Sequence, residues 1–293
     1  MGVGSTAKKQ YTANCELDYS HPLIMGVLNV TPDSFSDGGE FFSVDSAVTR
    51  ALEMITEGAD MIDIGGESSR PGADSVSADE EIARVIPVIE RIRTKSKIPL
   101  SVDTTKSPVA EKALNCGADF INDISAGLFD KEMIPLVAEK GAGYIIMHMR
   151  GAPQTMQDSP RYDDVVNEVA EFLADRLEVC EKAGITRERL LIDPGIGFGK
   201  TVAHNLALMS NIDELTSLGV PVVIGTSRKS FIEKVAGEST PQNRHGGSLA
   251  SAVYAVERGA SVVRVHDVAE TKQALKVLSA LLAATPIGKI VSQ

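Results

Sequence analysis

The chain has no tryptophan, and aromatic residues make up only 4% of its 293 residues, so its core must be aliphatic. It has three cysteines (Cys15, Cys116 and Cys180), an odd number without the close spacing of a metal-ligand set. That excludes a disulfide scaffold and reads as reduced, mostly buried thiols. No run of 18 apolar residues occurs, and residues 1–20 lack an apolar stretch of signal-peptide length. A membrane span and a secretory leader are therefore not expected, and the cytoplasm is the expected compartment. Excess positive charge is missing too. A net charge of −11 argues against a general binder of nucleic acid or membrane surfaces, though it leaves room for a local basic pocket. No serine sits in a nucleophile elbow and no His/Cys set has zinc spacing, so covalent catalysis and a structural metal are not expected.

What is present is ordinary globular material, 43% hydrophobic and 24% charged, arranged in a repeating phrase. A glycine and a small residue precede about four apolar residues, and a polar cluster follows. The phrase appears as "EGADMIDIGGESSR", "CGADFINDISAG", "KGAGYIIMHMRG", "LGVPVVIGTSRKS" and "RGASVVRVHDVAE", and more loosely as "SKIPLSVDTTKS" and "ERLLIDPGIGFGK". Gly58, Gly117, Gly141, Gly219 and Gly259 each follow a helix-like stretch, where a left-handed residue ends a helix. The apolar runs after them are too short for helices and read as parallel strands buried on both faces. Helical faces lie between, such as Ala47, Val48, Ala51, Leu52 and Ile55, or Val165, Val169, Phe172, Leu173 and Leu177. Arg84, Arg91 and Arg93 fall on helix faces and read as solvated.

Counting the opening run at Leu23, eight strands alternate with helices. The expectation is an α/β fold, a (β/α)8 TIM barrel forming a single domain over residues 21–293, with residues 1–20 as an N-terminal tail. A doubly wound open sheet is the alternative. In such barrels the chemistry lies at the C-terminal ends of the strands. Those ends carry Asn29, then Asp63 with Glu67 and Arg70, Asp103, Asn122 with Asp123, Met147 with His148, Asp193, Ser227 with Arg228 and Lys229, and Arg264 with His266. Carboxylates and an amide from separate strands suit a flat heterocycle bearing amino and ring N–H donors. The cationic seventh and eighth strand ends suit a diphosphate on a small molecule. "GIGFGK" is a glycine-rich turn without the spacing of a P-loop. Taken singly, a strand-end Asp or Asn can just as well cap the next helix, and His21, His204 and His245 read as surface or capping residues. Convergence on one rim favours a site.

"IMGVLNVTPDSFSDGG" and "DIGGESSRPGA" resemble the two long signatures of the dihydropteroate synthases, and "SVDT", "INDISAG", "MHMRGAPQTMQ", "DPGIGFGK", "GTSRKSFI" and "RVHDV" follow in that family's order. The resemblance implies a TIM-barrel transferase of folate synthesis. It joins 6-hydroxymethyl-7,8-dihydropterin diphosphate to 4-aminobenzoate, releases diphosphate, and is inhibited by sulfonamides. Carried over by motif, Asp103, Asn122, Asp193 and Lys229 would hold the pterin, with Met147, Phe198 and Arg264 forming its faces. Asn29, Arg264 and His266 would hold the diphosphate, with Asn29 a ligand of Mg2+. Phe35, Ser69, Arg70, Pro71, Ser227 and Lys229 would form the aminobenzoate pocket. Asn29, Asp103, Lys229, Arg264 and His266 would carry the catalysis. "TPDSFSDGGE" and "SSRPGADS" would be lids, with Phe35 against the benzoate ring. A homodimer is implied by the resemblance, and neither nucleic acid nor membrane is an expected partner. Ser69, Ser248 and Ile196 stand where the family usually has threonine, threonine and phenylalanine. Two rivals remain at this point: a pterin-binding methyltransferase, which has no reason for the first lid, and a silent scaffold, which would be expected to lack Asn29, Arg264 or His266.

Overall fold

The structure, a computed structural model, describes residues 9–12, 15–31, 44–68, 75–151, 155–237 and 240–284. Within the first 20 residues, Lys9–Tyr11 (β1) pairs antiparallel with Glu16–Asp18 (β2), so the expected tail contains a short hairpin. Eight parallel strands follow: β3 (Leu23–Asn29), β4 (Met61–Gly65), β5 (Leu100–Asp103), β6 (Phe120–Asp123), β7 (Gly143–Met147), β8 (Leu190–Asp193), β9 (Val223–Ile224) and β10 (Val262–Val265). They pair in the order β8-β7-β6-β5-β4-β3-β10-β9, and a parallel bridge between Ile192 and Val222 joins the two ends. The TIM barrel expected from the repeating phrase is therefore the fold, and the open-sheet alternative falls.

The crossovers carry α1 (Val44–Glu57), α2 (Ala78–Arg93), α3 (Ser107–Asn115), α4 (Met133–Lys140) and α5 (Val165–Lys182). They continue with α6 (Val202–Ser210), α7 (Ile212–Thr216), α8 (Ser230–Ala236), α9 (His245–Glu257) and α10 (Val268–Ala283). Local chemistry explains their ends. Ser77 caps α2 by accepting from the Glu80 amide, with Asp79, Glu80 and Glu81 on the positive end of the helix dipole. His204 closes a capping box with Thr201, as a capping role predicts. The five glycines that punctuate the sequence all have positive φ, Gly141 (φ 64°) as the cap of α4.

Two of the three arginines read as solvated are not. Arg84 donates to the Gly66 carbonyl (2.7 Å), and Arg93 binds the carbonyls of Gly117 (2.7 Å) and Ile98 (2.6 Å) and the Asp119 carboxylate (2.6 Å). Both extend from helix α2 onto carbonyls that lie outside the helix, which a face assignment does not show. Arg91 is exposed and pairs with Asp45.

Strand alternation divides the core in two. Ile24, Leu28, Ile62, Ile64, Val102, Ile121, Ile146, Ile192 and Val263 pack outward on the helices. Leu23, Met25, Met61, Phe120, Ile145, Leu191, Val223 and Val262 form a separate cluster inside the barrel, and Leu17 of the hairpin closes it with Cys15 and Tyr19 packed alongside. The Phe120 ring fills the space a side chain would take at Gly143, where a Cβ would lie 2.1 Å from its Cδ1.

Candidate active site

The alternation that sends apolar residues inward at the lower end sends polar ones inward at the upper end. Two residues beyond Met61 comes Asp63; beyond Phe120, Asn122; beyond Leu191, Asp193; beyond Val262, Arg264. In register across the sheet, Asn29 faces Gly65, Gly65 faces Asp103, and Asp103 faces Asn122. One polar tier thus crowns the apolar plug.

Arg264 is the centre of that tier. Its Nε donates to Asp63 Oδ2 (2.6 Å) and its Nη2 to Asp103 Oδ2 (2.9 Å), while Asn122 Nδ2 donates to the same Asp63 oxygen (3.0 Å). Asp63 is fully buried and its other oxygen, Oδ1, has no hydrogen-bond partner among the described residues. Burial pushes the Asp103 carboxyl up to about 7, with Arg264 opposing and Asp63 reinforcing. Asn29 Oδ1 and Asp103 Oδ2 lie 3.7 and 3.9 Å from where a Gly65 Cβ would stand, so the bare glycine keeps open the space beside both.

Asp193, Lys229 and Phe198 form the neighbouring group. Asp193 accepts the Gly195 amide (2.7 Å), and burial raises its carboxyl while Lys229 opposes that rise. The Lys229 ammonium sits 4.4 Å from the Phe198 ring centre and donates to the Ile196 carbonyl. Burial draws it down to about 8, against the pull of Asp193. Met147 lies beside the Gly195 turn, its Cγ 3.3 Å from where a Cβ would stand there. Beneath, Lys200 is buried and bonds His148 Nδ1 (2.9 Å), the His148 carbonyl (3.3 Å) and the Phe198 carbonyl (3.0 Å). Burial first, then Lys200, hold the His148 imidazole neutral, down at about 3. On the next strand end, Ser227 Oγ lies 3.0 Å from His266 Nδ1 and accepts the His266 amide (3.2 Å).

Of the residues expected from sequence, Asn29, Asp103, Asn122, Met147, Asp193, Phe198, Ser227, Lys229, Arg264 and His266 all lie at the barrel's C-terminal mouth. Phe35, Ser69, Arg70 and Pro71 fall outside the described residues. Asp63 was visible only as a strand-end carboxylate, yet it joins two of the proposed binding residues. A charge inside the five-residue apolar strand "MIDIG" was its signal. Asp123, by contrast, is a turn residue: it accepts from the amides of Ser125 and Gly127 and from Tyr144. Among the described residues no group of three or more His, Cys, Asp or Glu side chains is spaced to hold a metal. A metal here would take most of its ligands from a substrate, as magnesium does with phosphates.

The sequence profile of the family described as pterin binding enzymes matches residues 25–266, and the chain belongs to that family. Its relatives there are dihydropteroate synthases. It is 47% identical over 276 residues to the dihydropteroate synthase of Escherichia coli K12, covering 94% of this chain and 97% of that one. Its fold superposes with a TM-score of 0.90 on the Xanthomonas albilineans dihydropteroate synthase solved with 4-aminobenzoic acid, at 46% identity over 96% of this chain and all of that one. A Yersinia pestis dihydropteroate synthase in complex with a sulfonamide drug matches with the same TM-score, 43% identity, and coverage of 94% of this chain and 100% of that one.

Proposed function

We propose that the polar tier carries out the reaction of these relatives, with the work divided between its two groups. The chain is a transferase: it condenses 6-hydroxymethyl-7,8-dihydropterin diphosphate with 4-aminobenzoate to give 7,8-dihydropteroate and diphosphate, a step of folate synthesis, and it is a sulfonamide target. The observation that carries the division is the contiguity of acceptors and cations, Asp63, Asp103 and Asn122 around Arg264, and Asp193 beside Lys229. Asp193 and Asn122 suit the amino and ring N–H groups of the pterin, between Met147 and Phe198. Arg264 and His266 suit the diphosphate, and Ser227 with the lid residues Phe35, Ser69, Arg70 and Pro71 suits the aminobenzoate.

The aryl amine is neutral and nucleophilic near pH 7, so no strong general base is needed. The C–O bond from the pterin methylene to diphosphate breaks, the amine nitrogen bonds that carbon, and the amine proton leaves to solvent. Arg264 and His266 take up charge as diphosphate departs. Asn29 would hold Mg2+ together with diphosphate oxygens, and the ion would neutralise leaving-group charge. The space Gly65 leaves beside Asn29 Oδ1 and Asp103 fits such a role. Asp103 and Lys229, both shifted toward neutrality, keep the site's charge adjustable as the ligands enter.

We also infer a homodimer, for which Val277, Leu281 and Leu282 of α10 offer exposed apolar surface, and a cytoplasmic location, in keeping with three free cysteines. Among the described residues no helix is long and apolar enough to cross a membrane. The direct test is diphosphate release from the pterin diphosphate, with and without 4-aminobenzoate and with and without chelator. Release that is indifferent to aminobenzoate overturns the reading; release indifferent to chelator removes magnesium from it.

A further inference from the structure

Arg228 stands between Ser227 and Lys229, in the turn that follows β9, and its φ is +62°. Apart from glycines, only Ala126 and Ser159 share a positive φ among the described residues. An L-residue with a long side chain adopts this left-handed backbone only when its surroundings impose it. Here they do so from three sides. The Arg228 amide donates to Ser248 Oγ on α9 (2.9 Å), and its carbonyl accepts from Arg244 Nη1 (2.8 Å). Its guanidinium reaches the carboxylate of Asp267, the residue that opens α10, through Nε (3.3 Å) and Nη2. The holders are themselves held. Ser248 Oγ donates to the Arg244 carbonyl (2.8 Å), buried Arg244 pairs with Glu233 of α8, and His245 lies 3.5 Å from Asp267.

We propose that Arg228 is a positioning residue, held left-handed by Ser248, Arg244 and Asp267 so that its two neighbours are presented to the substrates. Strain of this kind persists where the surroundings over-determine it, and it concentrates beside functional groups. The flanking residues are such groups: Ser227 contacts His266, and Lys229 reaches Phe198 and the Ile196 carbonyl. Asp267 adjoins His266 in sequence, so the Arg228–Asp267 pair also ties the β9 turn to the β10 turn. One salt bridge thus keeps the aminobenzoate and pterin contacts in register with the diphosphate contact. Ser248, a departure from the family's usual threonine, retains the hydroxyl this clasp uses. The inference rests on the assignment of Ser227 and Lys229 to the substrate pockets.

The test is steady-state kinetics beside thermal unfolding on the full chain, for Arg228→Ala, Arg228→Gly, Asp267→Asn and Ser227→Ala. Arg228→Ala should lower kcat/KM for aminobenzoate about 30-fold while Tm stays within about 3 °C of wild type, because the side chain is only partly buried. Arg228→Gly accepts the left-handed backbone without strain and should recover about a third to a half of that loss on a logarithmic scale. Asp267→Asn, which keeps the shape and removes the charge, should lower kcat/KM about fivefold. Arg228→Ala within about twofold of wild type overturns the proposal, as does a loss that glycine does not reduce or that tracks a fall in Tm. Ser227→Ala separates the two levels. If it leaves the aminobenzoate KM unchanged, the pocket assignment fails; if it raises KM while Arg228→Ala is inert, the clasp alone fails.

Discussion

The two ends of the barrel interior are made by the same eight strands and obey the same alternation, yet they are opposite materials. The lower end is an aliphatic and aromatic plug closed by Leu17. The upper end holds Asp63, Asp103, Asp193, Arg264 and Lys229, a tier in which burial pushes the Asp103 and Asp193 carboxyls up and draws the Lys229 ammonium down. Dense apolar packing below supplies stability. Above, charges are held out of water before any ligand arrives, an arrangement that costs stability in the free protein and favours the ligand that completes it. The comparison teaches that position along a strand decides which residue type faces the barrel interior, apolar for folding below and charged for function above.

The sharpest way to break it is at the lower end. Phe120→Ala opens a cavity against Gly143 and should cost about 3–5 kcal/mol in a denaturant titration, with kcat of the folded fraction close to wild type. A loss under about 1 kcal/mol would mean the plug is not what holds the barrel. Asp193→Asn should do the reverse. Calorimetry should show pterin binding weaker by about 1.5–3 kcal/mol, with the unfolding free energy within about 1 kcal/mol of wild type. Unchanged affinity would remove Asp193 from the pocket. His266→Ala should weaken binding of the diphosphate-bearing pterin by about 1–2 kcal/mol more than that of a pterin lacking diphosphate. Equal losses would make His266 structural.

A pH dependence tests the upper end by a different measurement. In the folded protein Asp103 titrates at about 7, above its ordinary 3.8, so the native state holds this proton more tightly than the unfolded chain. Its stabilising contribution is complete below about 3.8 and is lost as pH rises to about 7. Wild type should therefore lose stability relative to Asp103→Asn across that window, and the difference should level off above it. A difference independent of pH would show that Arg264 keeps Asp103 ionised throughout.

Much of this was legible beforehand because glycines and short apolar runs punctuate a parallel barrel at every unit. The eight strands and their polar ends could be located from that grammar alone. The interior alternation could not, since both faces of the lower strands are apolar and the period of two is hidden until Asp63 or Arg264 breaks it. The hairpin escaped because its two strands have three residues each and no pattern of their own. Arg84 and Arg93 were misread because their carbonyl partners are set by tertiary packing. Arg228 was legible only as a strand-end cation, with no sign of its left-handed backbone or of its tie to Asp267. Its backbone angle is imposed by Ser248, Arg244 and Asp267, which lie 16 to 39 positions away in the chain.

The turn after β8 has a consequence for drug resistance. A Cβ at Gly195 would lie 2.0 Å from the His148 carbonyl oxygen, and one at Gly199 would lie 2.4 Å from that of Arg150, so the two loops meet main chain to main chain. A compound that leans on this stretch meets atoms every residue shares. Any substitution at either glycine drives carbon into the opposite carbonyl and dislodges the loop that carries Phe198. Selection by such a compound would have to find its escape at positions other than these two glycines.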